Sequence, residues 1–374
     1  MRIFLILILP SLVFINCNNV TKEYSLSITK DSLNIPQGFF NPKFRVKNEN
    51  GRNLLQGFNS VTNEMILFDI DSAKFFFKLK LNERFDNEGM GRLTQFDIYK
   101  QDTIFVVTED HILILNDSGR IIYDKDLTVP VRDNKGEEIV FWDHFGYYPL
   151  FFDPKKQDLY LKTICNCEFT KQKYFERKVE AKLHLRTGNI DLLDYSFPQR
   201  HRVVSYGQSV FPFREVNGAN NIISFESHDS LWVYDRDSDE LKKYFARSRF
   251  QESDFIPFDS SFNGDLERLK EHLTINPLYE KILFDKFRNI YYRFYLKELP
   301  LKNEQGIYSN LLDRDLVIMV LDKDFNILDE KNVGHSILWY YSFVTEKGLY
   351  IRNKNASEHV KSGDYEHFTV FSWN

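Results

Sequence analysis

Cysteine is scarce in this chain of 374 residues, which contains three of them. Two, Cys165 and Cys167, belong to the stretch TICNC, which we interpret as a strand with both side chains on one face. A disulfide between them would need a strained short loop, and a metal site would need more ligands than the surrounding sequence supplies. We therefore interpret this pair as half-buried core thiols.

Positive charge is not in excess either. The chain has 49 lysine and arginine residues against 54 aspartate and glutamate residues, for a net charge of −5. A protein that binds nucleic acid normally has a basic excess that neutralises phosphates. We therefore expect no nucleic-acid partner.

The strong catalytic and cofactor motifs are also absent from the sequence. It contains no glycine-rich phosphate loop, no GxSxG, no HExxH and no EF-hand loop. The stretch DIDSAKFFF has spaced acids, but it lacks the glycine and the final glutamate of a calcium loop, so we interpret the acids as turn residues. We expect no cofactor and no metal, and a catalytic role is less expected than a binding role.

The N-terminal hydrophobic segment is short. Residues 3–15 follow Arg2 and are interrupted by Pro10 and Ser11. As a helix they would rise about 20 Å, which is too little to cross a hydrocarbon core of roughly 30 Å. A positive start followed by a short apolar run is typical of a secretory signal, so we predict a cleaved segment and no permanent membrane span.

The end of that segment, LVFINC, resembles a loose form of the bacterial lipobox, whose cysteine is acylated and becomes the new N-terminus. The resemblance implies a signal peptide at residues 1–16, a tether at residues 17–23, and membrane lipid as the partner of Cys17. More than one acyl chain is needed for stable anchoring. Phe14 and Asn16 depart from the strict pattern, and a plain signal peptide with a chance cysteine is the alternative.

Aromatic residues, in contrast, are abundant: 35 Phe, 20 Tyr and 4 Trp stand beside only 16 Gly, which is typical of packed β-structure. A repeated unit runs through the chain, in which a polar turn follows an apolar strand and precedes a second strand. The unit occurs five times, with turns at Asp69, Asn116, Arg186, Asp235 and Asp322. Two of the four spacings are close to the roughly 40–50 residues of a four-stranded propeller blade.

The last unit, from SILWYYSFV to FSWN, is one strand short, and the N-terminal stretch EYSLSITKDSL is a candidate for the missing strand. Closure of this kind removes exposed sheet edges. We therefore predict an all-β fold in which residues 24–374 form one six-bladed β-propeller closed by an N-terminal strand. Seven blades, or a two-sheet sandwich with an appended domain, are the alternatives. Leucines at helical spacing predict a short inserted helix near residues 264–273.

Three features together resemble a known family: the relaxed lipobox, the aromatic-rich six-unit repeat, and the segment NPLYEKILFDKFRNIYYRFYL. They are similar to those of Bacteroidota lipoproteins known as domain of unknown function 4221, and of other lipoproteins with a six-bladed, TolB-like propeller. The resemblance implies a six-bladed ring and a location in the cell envelope, and it transfers no catalytic residues.

Two segments contain candidate ligand-binding residues. In FWDHFGYY, Asp143 and His144 are adjacent, and a loop would have to turn both toward the channel for acid–base chemistry. In FDKFRNIYYRFYL, Tyr291 and Arg293 share one face of a predicted strand. This arginine is suited to binding a carboxylate or a sugar at the pore, or to stacking between aromatic rings at an interface between blades. The interface is the favoured alternative, as is a structural role for His144.

Two functions are compatible with these features. The first is a binding or scaffolding propeller, anchored to the outer membrane through Cys17, whose ligand is an envelope protein, a peptide or a glycan. The second is an envelope hydrolase or lyase with its site at the propeller mouth, for which the fold offers only an analogy. The single acid in NNVTKEY leaves open whether the propeller faces the periplasm or the exterior.

Overall fold

The computed structural model describes residues 25–35, 45–59, 62–81, 92–132, 136, 138–141, 148–165, 172–204, 206, 211–258, 265–354 and 365–373. These residues form six small sheets that stand in a ring, which is a six-bladed β-propeller. The prediction of six blades is confirmed.

Blades 1 and 2 each have four antiparallel strands in chain order. The first strand of the chain, β1 (Leu26–Asn34), belongs to blade 6. Blade 1 contains β2 (Arg45–Glu49), β3 (Arg52–Asn59), β4 (Glu64–Asp69) and β5 (Lys74–Lys80), and blade 2 contains β6 (Leu93–Lys100), β7 (Thr103–Thr108), β8 (His111–Leu115) and β9 (Ile121–Asp126).

Blade 3 departs from this pattern because it contains six strands. It contains β10 (Val131–Arg132), β11 (Glu138–Phe141), β12 (Phe151–Asp153), β13 (Asp158–Cys165), β14 (Glu180–His184) and β15 (Ile190–Leu192). Both β11 and β12 pair with β13, one after the other along its length. Helices α1 (Gln172–Glu176) and α2 (Gln199–Val203) flank β14 and β15 in the chain.

Blades 4 and 5 again have four strands each. Blade 4 contains β16 (Pro212–Asn217), β17 (Asn220–Phe225), β18 (Ser230–Asp235) and β19 (Glu240–Phe245). After helix α3 (Leu266–Ile275), blade 5 contains β20 (Leu278–Asp285), β21 (Ile290–Leu296), β22 (Leu316–Leu321) and β23 (Ile327–Gly334), with a short 3-10 helix, η1 (Leu311–Asp313), before β22. Blade 6 contains β24 (Ile337–Thr345), β25 (Gly348–Asn353), β26 (Tyr365–Trp373) and β1.

The N-terminal strand closes the ring as predicted. All nine residues of β1 pair antiparallel with β26, from Leu26 opposite Trp373 to Asn34 opposite Tyr365. Since β24 is the first strand of this blade and contacts the first strands of its neighbours, β1 is the outermost strand. The final blade therefore combines strands from the two ends of the described chain.

The core consists of layers between neighbouring blades, so that inner strands are buried on both faces. In β21, Tyr292 and Phe294 pack against blade 6, whereas Tyr291 and Tyr295 pack toward blade 4. Both sets of side chains are buried. This double burial explains why such strands are rich in apolar and aromatic residues and do not alternate with polar ones.

Short side-chain-capped turns join the outer strands. The carboxylate of Asp69 accepts hydrogen bonds from the backbone N–H groups of Asp71 and Ser72, and Asp235 and Asp322 act in the same way in blades 4 and 5. Such Asx turns replace the backbone partners that a tight turn leaves unpaired. The acids of DIDSAKFFF are therefore turn residues, as the sequence predicts.

The predicted inserted helix is confirmed. It corresponds to α3, which begins and ends two residues later than the predicted span of residues 264–273. Asp265 caps α3 by accepting hydrogen bonds from the backbone N–H groups of Glu267 and Arg268. Capping by aspartate is favourable at this position, which fixes the start of the helix. Leu269, one of the leucines at helical spacing, is buried.

The ring has two different faces because successive strands of a blade run in opposite directions. The turns from first to second strand and from third to fourth strand lie on one face, which we call the short-turn face. The connections from second to third strand and the linkers between blades lie on the other, which we call the long-loop face; it has α1, α2, α3 and η1.

Candidate functional site

Three of the sequence-predicted site residues, Cys17, Asp143 and His144, lie outside the described residues. The last two belong to the segment between β11 and β12. Their proposed roles stay predictions.

The other pair, Tyr291 and Arg293, lies between blades 4 and 5. The Tyr291 hydroxyl accepts a hydrogen bond from the Asn217 side-chain amide at 2.7 Å, and its ring stacks on Phe325 with centroids 4.9 Å apart. Both Tyr291 and Arg293 are buried. A contact between either residue and a ligand stays a prediction.

The Arg293 guanidinium is surrounded by acceptors of blade 4. It donates to the backbone carbonyls of His228 at 2.7 Å, Asp229 at 2.8 Å and Ala246 at 2.9 Å. Its carbon lies 3.8 Å from the ring centroid of Tyr279. Burial lowers its pKa to about 10, so the side chain is a cation at neutral pH that is held by backbone dipoles and an aromatic face.

A cavity with charged walls lies at the mouth of the central channel on the short-turn face. We define the channel mouth by the residues that line this cavity of about 450 Å³: Arg45, Val46, Lys47, Asn48, Glu49, Asp97, Tyr99, Lys100, Leu150, Phe151, Phe152 and Lys286. They come from the inner strands of blades 1, 2 and 3 and from the first turn of blade 5. Its volume is within the range of small-molecule sites.

An ion cluster forms one wall of the channel mouth. Arg45 and Lys47 are two residues apart on β2, so their side chains point to the same side of the strand. Lys47 Nζ lies 2.7 Å and Arg45 Nη1 lies 3.3 Å from Oδ1 of Asp97 on β6. Arg45 also donates to the Leu150 carbonyl of blade 3 at 3.0 Å, so it links blade 1 to blade 3.

The protonation states of this cluster follow from burial and charge. Burial by itself would raise the pKa of the Asp97 carboxyl, but Lys47 and Arg45 overcome this effect and hold the pKa below its ordinary value. Burial lowers the pKa of Lys47, and Asp97 opposes that change. The carboxylate is therefore charged and shared between two cations, which leaves a net positive wall.

Two more cations and two aromatic rings complete the channel mouth. Lys286 lies in the β20–β21 turn and donates to the Asn48 carbonyl at 3.3 Å, while Lys100 follows Tyr99 at the end of β6. The rings of Tyr99 and Phe152 meet edge to face with centroids 5.0 Å apart. Lys100 and Lys286 are exposed, so their ammonium groups are accessible to a ligand.

Deeper in the ring, Lys281 and Glu215 form a pair of opposite charges on the first strands of blades 5 and 4. Lys281 lies in an irregular stretch of β20 and donates to the Ser342 carbonyl of blade 6 at 2.8 Å. Burial lowers its pKa to about 8, and Glu215 of blade 4 opposes that effect. Burial also raises the pKa of Glu215. These two charges balance each other, in contrast to the excess of cations at the channel mouth.

A second cluster of charged groups lies away from the channel mouth. In a cavity of about 350 Å³ beside the β14–β15 turn, the ring nitrogens of His184 lie 2.7 Å from Asp158 and 2.8 Å from Asp191. These contacts join the turn to β13.

Among the described residues, no group of three His, Cys, Asp or Glu side chains is placed to hold a metal ion, and no helix is long and apolar enough to cross a membrane.

The channel mouth is not predicted by the motifs of the sequence. A signal for it exists in RVK at positions 45–47, where two cations flank one apolar residue on a strand, and in QFDIY, where an acid interrupts an apolar strand. Neither pattern is specific until the strands are known to line a channel.

Comparison with known proteins assigns the family. A sequence profile described as "Domain of unknown function (DUF4221)" matches residues 19–332. The chain belongs to this family. The crystal structure of a DUF4221 member from Bacteroides vulgatus has a TM-score of 0.73 and 21% identity, over 93% of this chain and 98% of that chain. The predicted family is thus confirmed.

A more distant structure has the same fold. A Bacteroides fragilis protein whose name proposes that it is exported has a TM-score of 0.53 and 11% identity, over 93% of this chain and 95% of that chain. At identities of 21% and 11%, the similarity of the chain to these two structures shows only that they share its fold. No protein of curated function matches the chain.

Proposed function

We propose that this DUF4221 protein is a lipid-anchored binding module of the cell envelope, whose propeller takes a small acidic ligand in the channel mouth. One observation carries the proposal. Four cations and two acids line the channel mouth, although the chain as a whole has a net charge of −5. A local excess of positive charge in a concave site attracts anions and concentrates them there.

The aromatic rings of the channel mouth favour a ligand that also has a ring or an apolar face. Tyr99 and Phe152 lie beside the cations that would hold a carboxylate or a phosphate. An acidic sugar combines both features. We therefore choose a uronic-acid disaccharide as the first probe, and inorganic phosphate as a probe of the charge alone.

Isothermal titration calorimetry with the full chain tests the ligand. We expect the acidic disaccharide to bind and a neutral disaccharide of the same linkage to bind at least about tenfold more weakly, a difference of about 1.4 kcal/mol. The double variant Lys100→Ala/Lys286→Ala should weaken acidic-disaccharide binding by a similar factor. The matched control, Lys270→Ala/Lys302→Ala, removes two exposed lysines on the long-loop face and should change nothing. Equal affinities for both sugars would contradict the proposal.

The anchor part of the proposal rests on the lipobox-like LVFINC sequence. The name of the Bacteroides fragilis structure agrees with an exported location without testing it here. We expect the wild type to incorporate labelled palmitate and globomycin to cause its acylated, uncleaved precursor to accumulate, whereas Cys17→Ala should incorporate no label and should leave the membrane fraction. Unchanged processing and fractionation of the variant would contradict the anchor.

A further inference from the structure

The channel mouth and the N-terminal end of the described chain lie on the same face of the ring. The channel mouth is built from the ends of first strands, at Glu49 in blade 1 and Lys100 in blade 2, and from Lys286 in the first turn of blade 5. These positions define the short-turn face.

The start of β1 lies on this face as well. Because β1 takes the place of a fourth strand, it begins where β26, the third strand, ends, with Leu26 opposite Trp373. The Trp373 carbonyl accepts a hydrogen bond at 3.2 Å from Arg288, which lies in the first turn of blade 5. The same guanidinium donates to the Glu346 carbonyl, in the first turn of blade 6. The chain therefore enters the propeller beside the turns that surround the channel mouth.

We propose that the short-turn face is turned toward the membrane, so that the channel mouth receives its ligand from the gap between propeller and lipid. This inference rests on the proposed acylation of Cys17. From Cys17 to Leu26 the chain advances nine residues, which reach at most about 30 Å when fully extended. The anchored end thus holds this face close to the lipid surface, with the long-loop face on the far side.

The width of the gap restricts the partner. A compact domain of about 100 residues has a radius of gyration of about 13 Å and a diameter above 30 Å, so it does not enter the gap. A sugar or another small acidic molecule does. The ligand of the channel mouth is therefore a small acidic molecule, and a folded envelope protein is excluded from this site.

Energy transfer on vesicles tests the orientation. The acylated full chain, with a fluorescent non-natural residue at Gln101 or at Ile307, is reconstituted in phosphatidylcholine vesicles that have acceptor-labelled headgroups. Gln101 is exposed in the β6–β7 turn of the short-turn face, and Ile307 is exposed in the β21–β22 connection of the opposite face. We expect transfer from position 101 to be at least about twofold more efficient than from position 307.

Three outcomes would contradict different parts of the proposal: the orientation, the anchor and the ligand. Equal or greater transfer from position 307 would overturn the orientation while leaving the anchor intact. Absence of transfer from both positions would overturn the anchor and the orientation that rests on it. Calorimetric failure to bind the acidic disaccharide in detergent would overturn the proposed ligand separately.

Partner size is tested with the same disaccharide, either free or coupled to serum albumin. The free probe should bind equally to vesicle-bound and detergent-released protein. The albumin-coupled probe should bind the released protein at least about tenfold more tightly than the vesicle-bound protein, because the carrier does not fit the gap. Equal binding of the coupled probe to both forms would overturn the inference.

Discussion

At the scale of single residues, Arg293 is a buried cation with a structural role, since its guanidinium joins three backbone carbonyls of blade 4 to a strand of blade 5. Removing such a group leaves buried acceptors without a donor, which costs more than the net value of each bond.

We predict that Arg293→Met lowers the free energy of unfolding by about 3 kcal/mol or more. Arg293→Lys should also destabilise the protein, because an ammonium group does not reproduce the fork of donors. Urea unfolding measures both changes, with exposed Arg120→Met as the control. A stability equal to wild type, combined with weaker binding of the acidic probe, would instead favour a ligand contact for Arg293.

A buried histidine makes stability depend on pH. His201 lies in α2 among aromatic rings, and burial, aided by the charge of Arg200, lowers its pKa to about 3. The unfolded chain binds this proton near pH 6.5, so the unfolded state has more protons below that pH and stability falls as pH falls toward 3.

Between pH 7 and pH 5, we expect His201 to account for a loss of about 2 kcal/mol in unfolding free energy. His201→Phe keeps an aromatic ring at this position and removes the titratable group. Between pH 7 and pH 5, the variant should therefore lose about 2 kcal/mol less unfolding free energy than the wild type. Urea unfolding at the two pH values measures the difference. Identical pH dependences for wild type and variant would contradict this assignment.

At the scale of elements, the start of β25 requires a close approach to the backbone of β26. Gly348 has a φ of +142°, and a Cβ at this position would overlap the carbonyl oxygen of Phe371 on β26. Gly348→Ala should therefore cost about 3 kcal/mol or more in stability. The control Gly218→Ala, at a φ of +57° with open space around it, should cost only about 1 kcal/mol. Equal losses in thermal unfolding would show that the contact with β26 does not matter.

Hairpins and turns can be predicted from the sequence because the hydrogen bonds that form them join residues only a few positions apart. Asp322 caps its turn through backbone groups two and four residues away, so the sequence contains the whole interaction. The arrangement of blade 3 is not predictable in the same way, because β11 and β12 are separate in the chain and both pair with β13.

At the scale of the whole molecule, ring closure was predictable and the channel mouth was not. The missing strand of the last repeat and the spare strand at the N-terminus define the closure within the sequence itself. The cations of the channel mouth come from blades 1, 2 and 5, where Arg45 and Lys286 are far apart in the chain. Only the completed ring brings them together, so no local pattern marks them.

The functional proposal depends on this closure, because pairing of β1 with β26 places the N-terminal end of the described chain on the face of the channel mouth. Native-state hydrogen exchange of the amides in residues 26–34 measures this pairing most directly. We predict that the hydrogen-bonded amides of β1 exchange with free energies close to that of global unfolding. Exchange of all of them at the rate of an unstructured peptide would contradict the closed ring, and with it the proposed orientation of the site.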